Sequence, residues 1–268
     1  MCRILLGMVA WMPVMLLAFL QTPGTGSADP AFASPVPLAR QAESLAARAR
    51  DLGPSTEDGA EYAREAARWC VYAHAAILYR DEPTDEERDA VTSALSACAQ
   101  VIPTETRLED LRPLRQSSQH LCAVASTRML LAHWGIDVSE ADLLEVFGRE
   151  AVSRGVHVNA VLDALPLYGV SALACAGSPD LVRVCLTAGL PVAVYQWVRS
   201  DRDVRHMRVV VGYDTAEEDG PGWILADPAR EMPELWRATD EEFMRLWDCH
   251  WDPEGHTQWM CVPYLGPS

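Results

Sequence analysis

The chain has 268 residues, room for one sizeable core and a small accessory domain. Hydrophobic residues make up 49% and charged residues 22%, a globular balance that excludes a disordered chain and a multi-span membrane protein. The 22 basic residues, all Arg, face 38 acidic ones for a net charge of −16, which argues against nucleic acid as a partner, because a polyanion needs a basic surface.

Residues 1–33 read as a signal peptide. Arg3 precedes an apolar run from Ile4 to Leu20, and Ala31-Phe32-Ala33 forms a small-x-small cleavage pattern. The alternative is an uncleaved membrane anchor, and membrane contact is expected only in that case. The run is borderline in length for a span and holds Pro13. Either way the bulk of the chain is expected to be secreted, periplasmic or otherwise extracytoplasmic. Of 8 cysteines, Cys2 leaves with the signal, so an odd number remains, which in an exported protein suggests pairs plus one unpaired thiol. Pairing by sequence gives Cys70 with Cys98, Cys175 with Cys185 and Cys249 with Cys261, leaving Cys122.

Residues 34–104 read as a helical module. LARQAESLAARARDL closes near Gly53-Pro54. AEYAREAARWCVYAHAAILYR puts Tyr62, Ala66, Cys70, Ala73 and Ile77 on one face. TDEERDAVTSALSACAQVI opens on Thr84 and acidic residues suited to a helix N-terminus. This module is either a plain helical extension or a prodomain or docking unit. Residues 105–268 form the second region. CAVASTRMLLAHW is a helix stopped by Gly135, and SEADLLEVFG opens on Ser139. VNAVLDALPLYG is broken at Pro166. VSALACA, a helix PDLVRVCLTAG and the strand LPVAVYQWV follow. HMRVVVGYD and GWILADP then read as a hairpin. Helices first and antiparallel strands later give an α+β fold.

The chemistry concentrates in LRQSSQHLCAVASTRMLLAHWG. Cys122 stands where a polar loop becomes a helix, and the exposed N–H groups and dipole of a helix start favour thiolate, the attacking species. Gln116, six residues earlier, can donate its side-chain amide to an oxyanion, together with the Cys122 backbone N–H. His206 and Asp227 fall at the same end of the predicted hairpin, so the carboxylate can hold one imidazole nitrogen while the other faces the thiol. His120 reads as a cleft wall, and His74, His133 and His157 as helix-surface or interior residues. Cys249, His250, His256 and Cys261 lack a standard zinc spacing, so no metal or other cofactor is expected. Trp236, Trp247, Trp251 and Trp259 suit packing of the tail, or a stacking surface for a ligand.

Between Leu114 and Trp247 the chain resembles the bacteriocin-processing, double-glycine-leader cysteine peptidases, and more closely their stand-alone secreted relatives, in the papain-like superfamily. The resemblance rests on QSSQHLC with its Gln-to-Cys spacing, the helix ending in HWG, VNAVLDALPLYGV, GLPVAVYQW, HMRVVVGYD, ILADP and ATDEEFMRLW. It implies a papain-like fold with an N-terminal catalytic helix on an antiparallel sheet. It also implies Gln116 as oxyanion donor, Cys122 as nucleophile, His206 as base and Asp227 as orienter. Where the family carries Asp before the cysteine and Gly, often then Pro, after it, this chain carries Leu121, Ala123 and Val124. The expected activity is thiol hydrolysis of a peptide or related amide bond, with a peptide or protein as substrate. The alternatives are an inactive peptide-binding module and a transamidase or acyltransferase using the same residues.

Overall fold

The computed structural model describes residues 33–199, 204–216, 221–229, 235–251 and 255–265; all but the last residue of the predicted signal segment lies outside the described residues. Three helices come first: α1 (Pro35–Leu52), α2 (Glu57–Leu78) and α3 (Asp85–Ala99). On α1, Ala39, Ala42, Ala46 and Ala49 are fully buried, a stripe of small side chains at helical spacing that lets α2 pack close. On α2, Ala63, Ala66, Ala67 and Ala73 are buried in the same way. Thr84 caps α3 in a reciprocal capping box with Glu87, the role its position predicts.

Strand β1 (Glu105–Arg107) leads out of these helices, and α4 (Cys122–His133), α5 (Glu140–Phe147), α6 (Ala151–Arg154) and α7 (Val158–Ala164) follow. Pro166 ends the last helical segment in a single 3₁₀ turn, Leu165–Tyr168, because it supplies no N–H to an α-helical ladder. Then come β2 (Ser171–Ala176), α8 (Pro179–Thr187), β3 (Val192–Trp197), β4 (Arg205–Asp214), β5 (Gly222–Ala226), β6 (Trp236–Thr239), α9 (Asp240–Trp247) and β7 (Trp259–Tyr264). The sheet order is β2-β7-β3-β4-β5-β6, with β1 added to β4. Every pairing is antiparallel. β1 continues the edge where β3 stops: β3 pairs with Arg205 to Val210 of β4, and β1 with Gly212 to Asp214. A Cβ on Gly212 would stand 2.5 Å from the Thr106 carbonyl oxygen, so only glycine lets β1 approach.

Both sheet faces are covered, and alternation along β4 divides its side chains between two cores. Met207, Val209 and Val211 pack with Val124, Met129, Leu130 and Leu131 of α4. Val210, with Val192 and Val194 of β3, joins a core shared by α8, α9 and the first three helices. The early helices are tied to that side by polar contacts as well. Tyr79 donates through its hydroxyl to the Ala172 carbonyl at 2.9 Å, Tyr72 to that of Leu265 at 3.2 Å, and Arg68 Nε to that of Ala188 at 3.3 Å. The result is an α+β arrangement of helices on both faces of one antiparallel sheet. No helix among the described residues is long and apolar enough to cross a membrane.

Two expectations change. The tail is not merely packed Trp side chains: Trp259–Tyr264 is a strand inserted between β2 and β3. Pro263 is accommodated because pairing with β3 involves only Met260 and Cys261, so beyond them the β3 side asks for no donor. The three proposed disulfides are not formed: Cys70, Cys98, Cys175, Cys185 and Cys261 are thiols. Cys70 and Cys98 do meet, side chain to side chain, in the interior between α2 and α3.

Candidate active site

The loop before α4 is pinned from several directions. The Leu114 N–H donates to Met129 Sδ at 3.2 Å, and Ser117 Oγ donates to Glu140 Oε1 at 2.6 Å. The Gln116 N–H donates to the Pro228 carbonyl at 2.9 Å, which ties the predicted oxyanion loop to the residue just after Asp227. Gln116 Oε1 is buried with no hydrogen-bond partner among the described residues. Leu121 occupies the N-cap position of α4 without a side-chain cap. It is 2% exposed and anchors the helix start in the core instead. Cys122 is the first residue of α4, and Ala123, inside the helix, has no need of a glycine's freedom.

β4 brings His206 to this point. Ser126 Oγ donates to the Met207 carbonyl at 3.3 Å, locking α4 against the strand next to His206. The His206 side chain lies beside the Cys122 thiol and interacts with it. Its Nε2 lies 2.6 Å from Asp227 Oδ1, which leaves Nδ1 for the sulfur. Both His206 and Asp227 are 3% exposed. Asp227 Oδ1 also accepts from the Ala229 N–H at 2.9 Å, and Oδ2 accepts from Arg208 Nε at 2.8 Å. The structure therefore brings Cys122, His206 and Asp227 into one chain of contacts, with Gln116 held beside it through the backbone.

Each group is shifted in the direction this arrangement requires. Burial pushes the Cys122 thiol up, but the hydrogen bond and charge of His206, with the Met207 and Ala123 backbone, outweigh it and leave the thiol below its ordinary value. Burial alone would lower His206. Its hydrogen bonds to Asp227 and Cys122 overcome both that and the opposing Arg208 charge, so the imidazole is raised. Burial would raise Asp227, yet His206 and Arg208 hold the carboxyl far below the usual carboxylate range. A lowered thiol beside a raised imidazole is the condition for a thiolate–imidazolium pair.

The other histidines are occupied elsewhere. His120 Nε2 takes a hydrogen bond from Gln119 at 3.0 Å. His74 and His133 bond the carbonyls of Cys70 and Gly189, and His157 caps the start of α7. Among the described residues no three His, Cys, Asp or Glu side chains are grouped to hold a metal. Two residues near the site escaped the sequence analysis: Arg208, and Tyr195 on β3, which interacts with Arg205 and Cys122. The signal for Arg208 was its position two residues beyond His206 on a strand, which puts both side chains on one face.

The family model described as Peptidase_C39 like family matches residues 108–252, more than half of the chain. The chain belongs to this family. It is a cysteine peptidase-like hydrolase, and its α+β fold is the papain-like fold that the sequence resemblance implies. Comparison with curated proteins finds no match. Among solved structures, the peptidase domain of Streptococcus ComA, a bi-functional ABC transporter of a quorum-sensing pathway, is 18% identical with a TM-score of 0.42, over 59% of this chain and 99% of that one.

Proposed function

We propose that this member of the Peptidase_C39 like family hydrolyses a peptide or related amide bond with Cys122 as nucleophile, His206 as general base and acid, and Asp227 as the residue that orients the imidazole. The observation that carries the reading is the continuous chain from the first residue of α4 through His206 to Asp227, closed by the 2.6 Å contact between Nε2 and Oδ1. In this reading the Cys122 sulfur attacks the carbonyl carbon as a thiolate. The oxyanion takes hydrogen bonds from the Cys122 backbone N–H and the Gln116 side-chain amide. The His206 imidazolium then protonates the leaving amine, and the neutral imidazole activates water to release the acyl group. The substrate is a peptide or protein segment. The apolar run from Ile4 to Leu20 supports a working place outside the cytoplasm.

The test is iodoacetamide labelling of Cys122 against pH, in wild type and His206→Ala. Labelling well below the ordinary thiol range of about 8.5, lost in the variant, supports the pair. Labelling at alkaline pH only, alike in both proteins, overturns it.

A further inference from the structure

Arg208 is 3% exposed, and a buried guanidinium is costly unless its donors are matched. Here they are matched by partners that surround the site. Nε donates to Asp227 Oδ2 at 2.8 Å, Nη1 to Gln196 Oε1 at 3.2 Å and to the Trp197 carbonyl at 3.1 Å, and Nη2 to the Val198 carbonyl at 3.3 Å. Its cation also lies 5.0 Å from the centre of the Trp236 ring. The neighbouring strand positions Val209, Val210 and Val211 are all apolar and buried. A charge kept buried on this strand, with the Asp227 carboxylate as its closest partner, points to a task at the site.

That task is visible in how the Asp227 carboxylate is divided. One oxygen serves His206 and the Ala229 N–H, the other serves Arg208. We propose that Arg208 is a positioning residue for the Cys122–His206 pair: it clamps the outer oxygen of Asp227, so that the carboxylate is held in the plane in which its inner oxygen meets the imidazole. This rests on the triad reading above. A carboxylate held at both oxygens keeps one orientation through the reaction cycle, and a planar five-donor fork provides that better than an ammonium does.

A second consequence is electrostatic. The groups facing His206 are Cys122 from α4, Asp227 after β5 and Arg208 along its own strand. Tyr195 on β3 meets Arg205 and Cys122, and Arg205 is exposed, 5.8 Å from the centre of the Trp197 ring. Among these, the Arg208 charge opposes protonation of His206. Removing it therefore moves loss of the imidazolium proton to higher pH.

The experiment follows Cys122 alkylation and substrate-independent thiol titration across pH in wild type, Arg208→Gln, Arg208→Lys and His206→Ala. In Arg208→Gln the inflection that belongs to the imidazole, replaced in His206→Ala by the ordinary titration of the thiol, should rise by roughly half a pH unit or more. Arg208→Lys should restore the wild-type inflection, because it keeps the charge. With a peptide substrate in hand, the kcat of Arg208→Gln should fall roughly 10–100-fold with little change in KM, the usual cost of removing an outer partner. Folded Arg208→Gln with wild-type kcat and a wild-type inflection overturns the inference. If that variant does not fold, kcat is compared for Arg208→Lys alone and in an Asp227→Asn background, because an ammonium keeps the charge but not the fork. A loss with Arg208→Lys alone that vanishes in Asp227→Asn supports action through Asp227, and no loss alone or a fully additive loss overturns it. Wild type indistinguishable from His206→Ala would instead overturn the triad reading, a separate result.

Discussion

Two sets of thiols in this molecule, both opposed by burial, are shifted in opposite directions. Cys70 and Cys185 lie fully buried in the layer between the early helices and the sheet, where burial and neighbouring thiols push them well up. Cys175, on β2, is pushed up to about 12 by burial. Cys122 also suffers burial, yet its thiol is lowered. Burial therefore does not decide whether a cysteine is reactive. What separates the two sets is an imbalance of partners: His206 and backbone donors outweigh burial at Cys122, and no partner outweighs it at Cys70 or Cys185.

The widest separation between the two regions is in turnover. Cys122→Ala should abolish hydrolysis, a loss on the order of 10⁶-fold in kcat by analogy with removal of an essential nucleophile. The circular dichroism spectrum and melting temperature should stay near wild type, since the side chain is small and only half-buried. Retained hydrolysis would break the comparison outright. The next effect is selectivity. At pH 6–7 in the native protein, iodoacetamide should modify Cys122 at least about 100-fold faster than Cys70 or Cys185, because only the thiolate reacts. Peptide mapping by mass spectrometry reads this directly, and equal labelling would show that the two environments do not differ.

A smaller effect concerns stability against pH. Asp227 is depressed in the folded protein, so its contribution is present above the unfolded value of about 3.9 and fades as pH falls below it. His206 is raised, so its contribution is full below about 6.5 and is lost as pH climbs through the folded value. The pair should stabilise the fold most between roughly pH 4 and 6.5, by on the order of 2 kcal/mol. Urea melts of wild type and Asp227→Asn should differ most in that window, and the difference should shrink steadily as pH falls below about 4. A constant difference across pH would assign Asp227 a packing role instead.

Much of this was legible in the sequence because local rules and the fold agreed. The Val run of β4, bounded by His206 and Gly212, and the return strand ending at Asp227-Pro228 fix a hairpin whose register, Val209 opposite Ala226, brings His206 and Asp227 to one end. Thr84 and Ser139 announce their helices through capping boxes. What stayed hidden depends on partners distant in sequence. β1 is three residues long and exists because β4 offers an edge. β7 carries Pro263, which argues against a central strand until the short pairing with β3 is known. Arg208 reads as an ordinary polar strand residue until Asp227 and Gln196 close around it. Cys175 on β2 and Cys185 on α8 are free thiols although they are near in sequence, because a bridge needs matched side-chain geometry that spacing along the chain does not give.

The smallest predicted effect sharpens the contrast from the other side. Cys70 is fully buried among Ala63, Ala66, Ala67 and Val71 on α2, and its sulfur meets Cys98 on α3. Its role is to fill space between two helices, so Cys70→Ala should remove one heavy atom's packing and cost about 1 kcal/mol. Because the early helices share their core with α8 and the outer face of the sheet, the loss should appear in the global melt of the whole chain. The Cys122 alkylation profile should not move, since α4 packs on the opposite face with Met207, Val209 and Val211. If instead Cys70→Ala slows Cys122 labelling in the folded protein, the two faces are coupled through β4, whose residues alternate between both cores, and the early helices influence the thiol across the sheet.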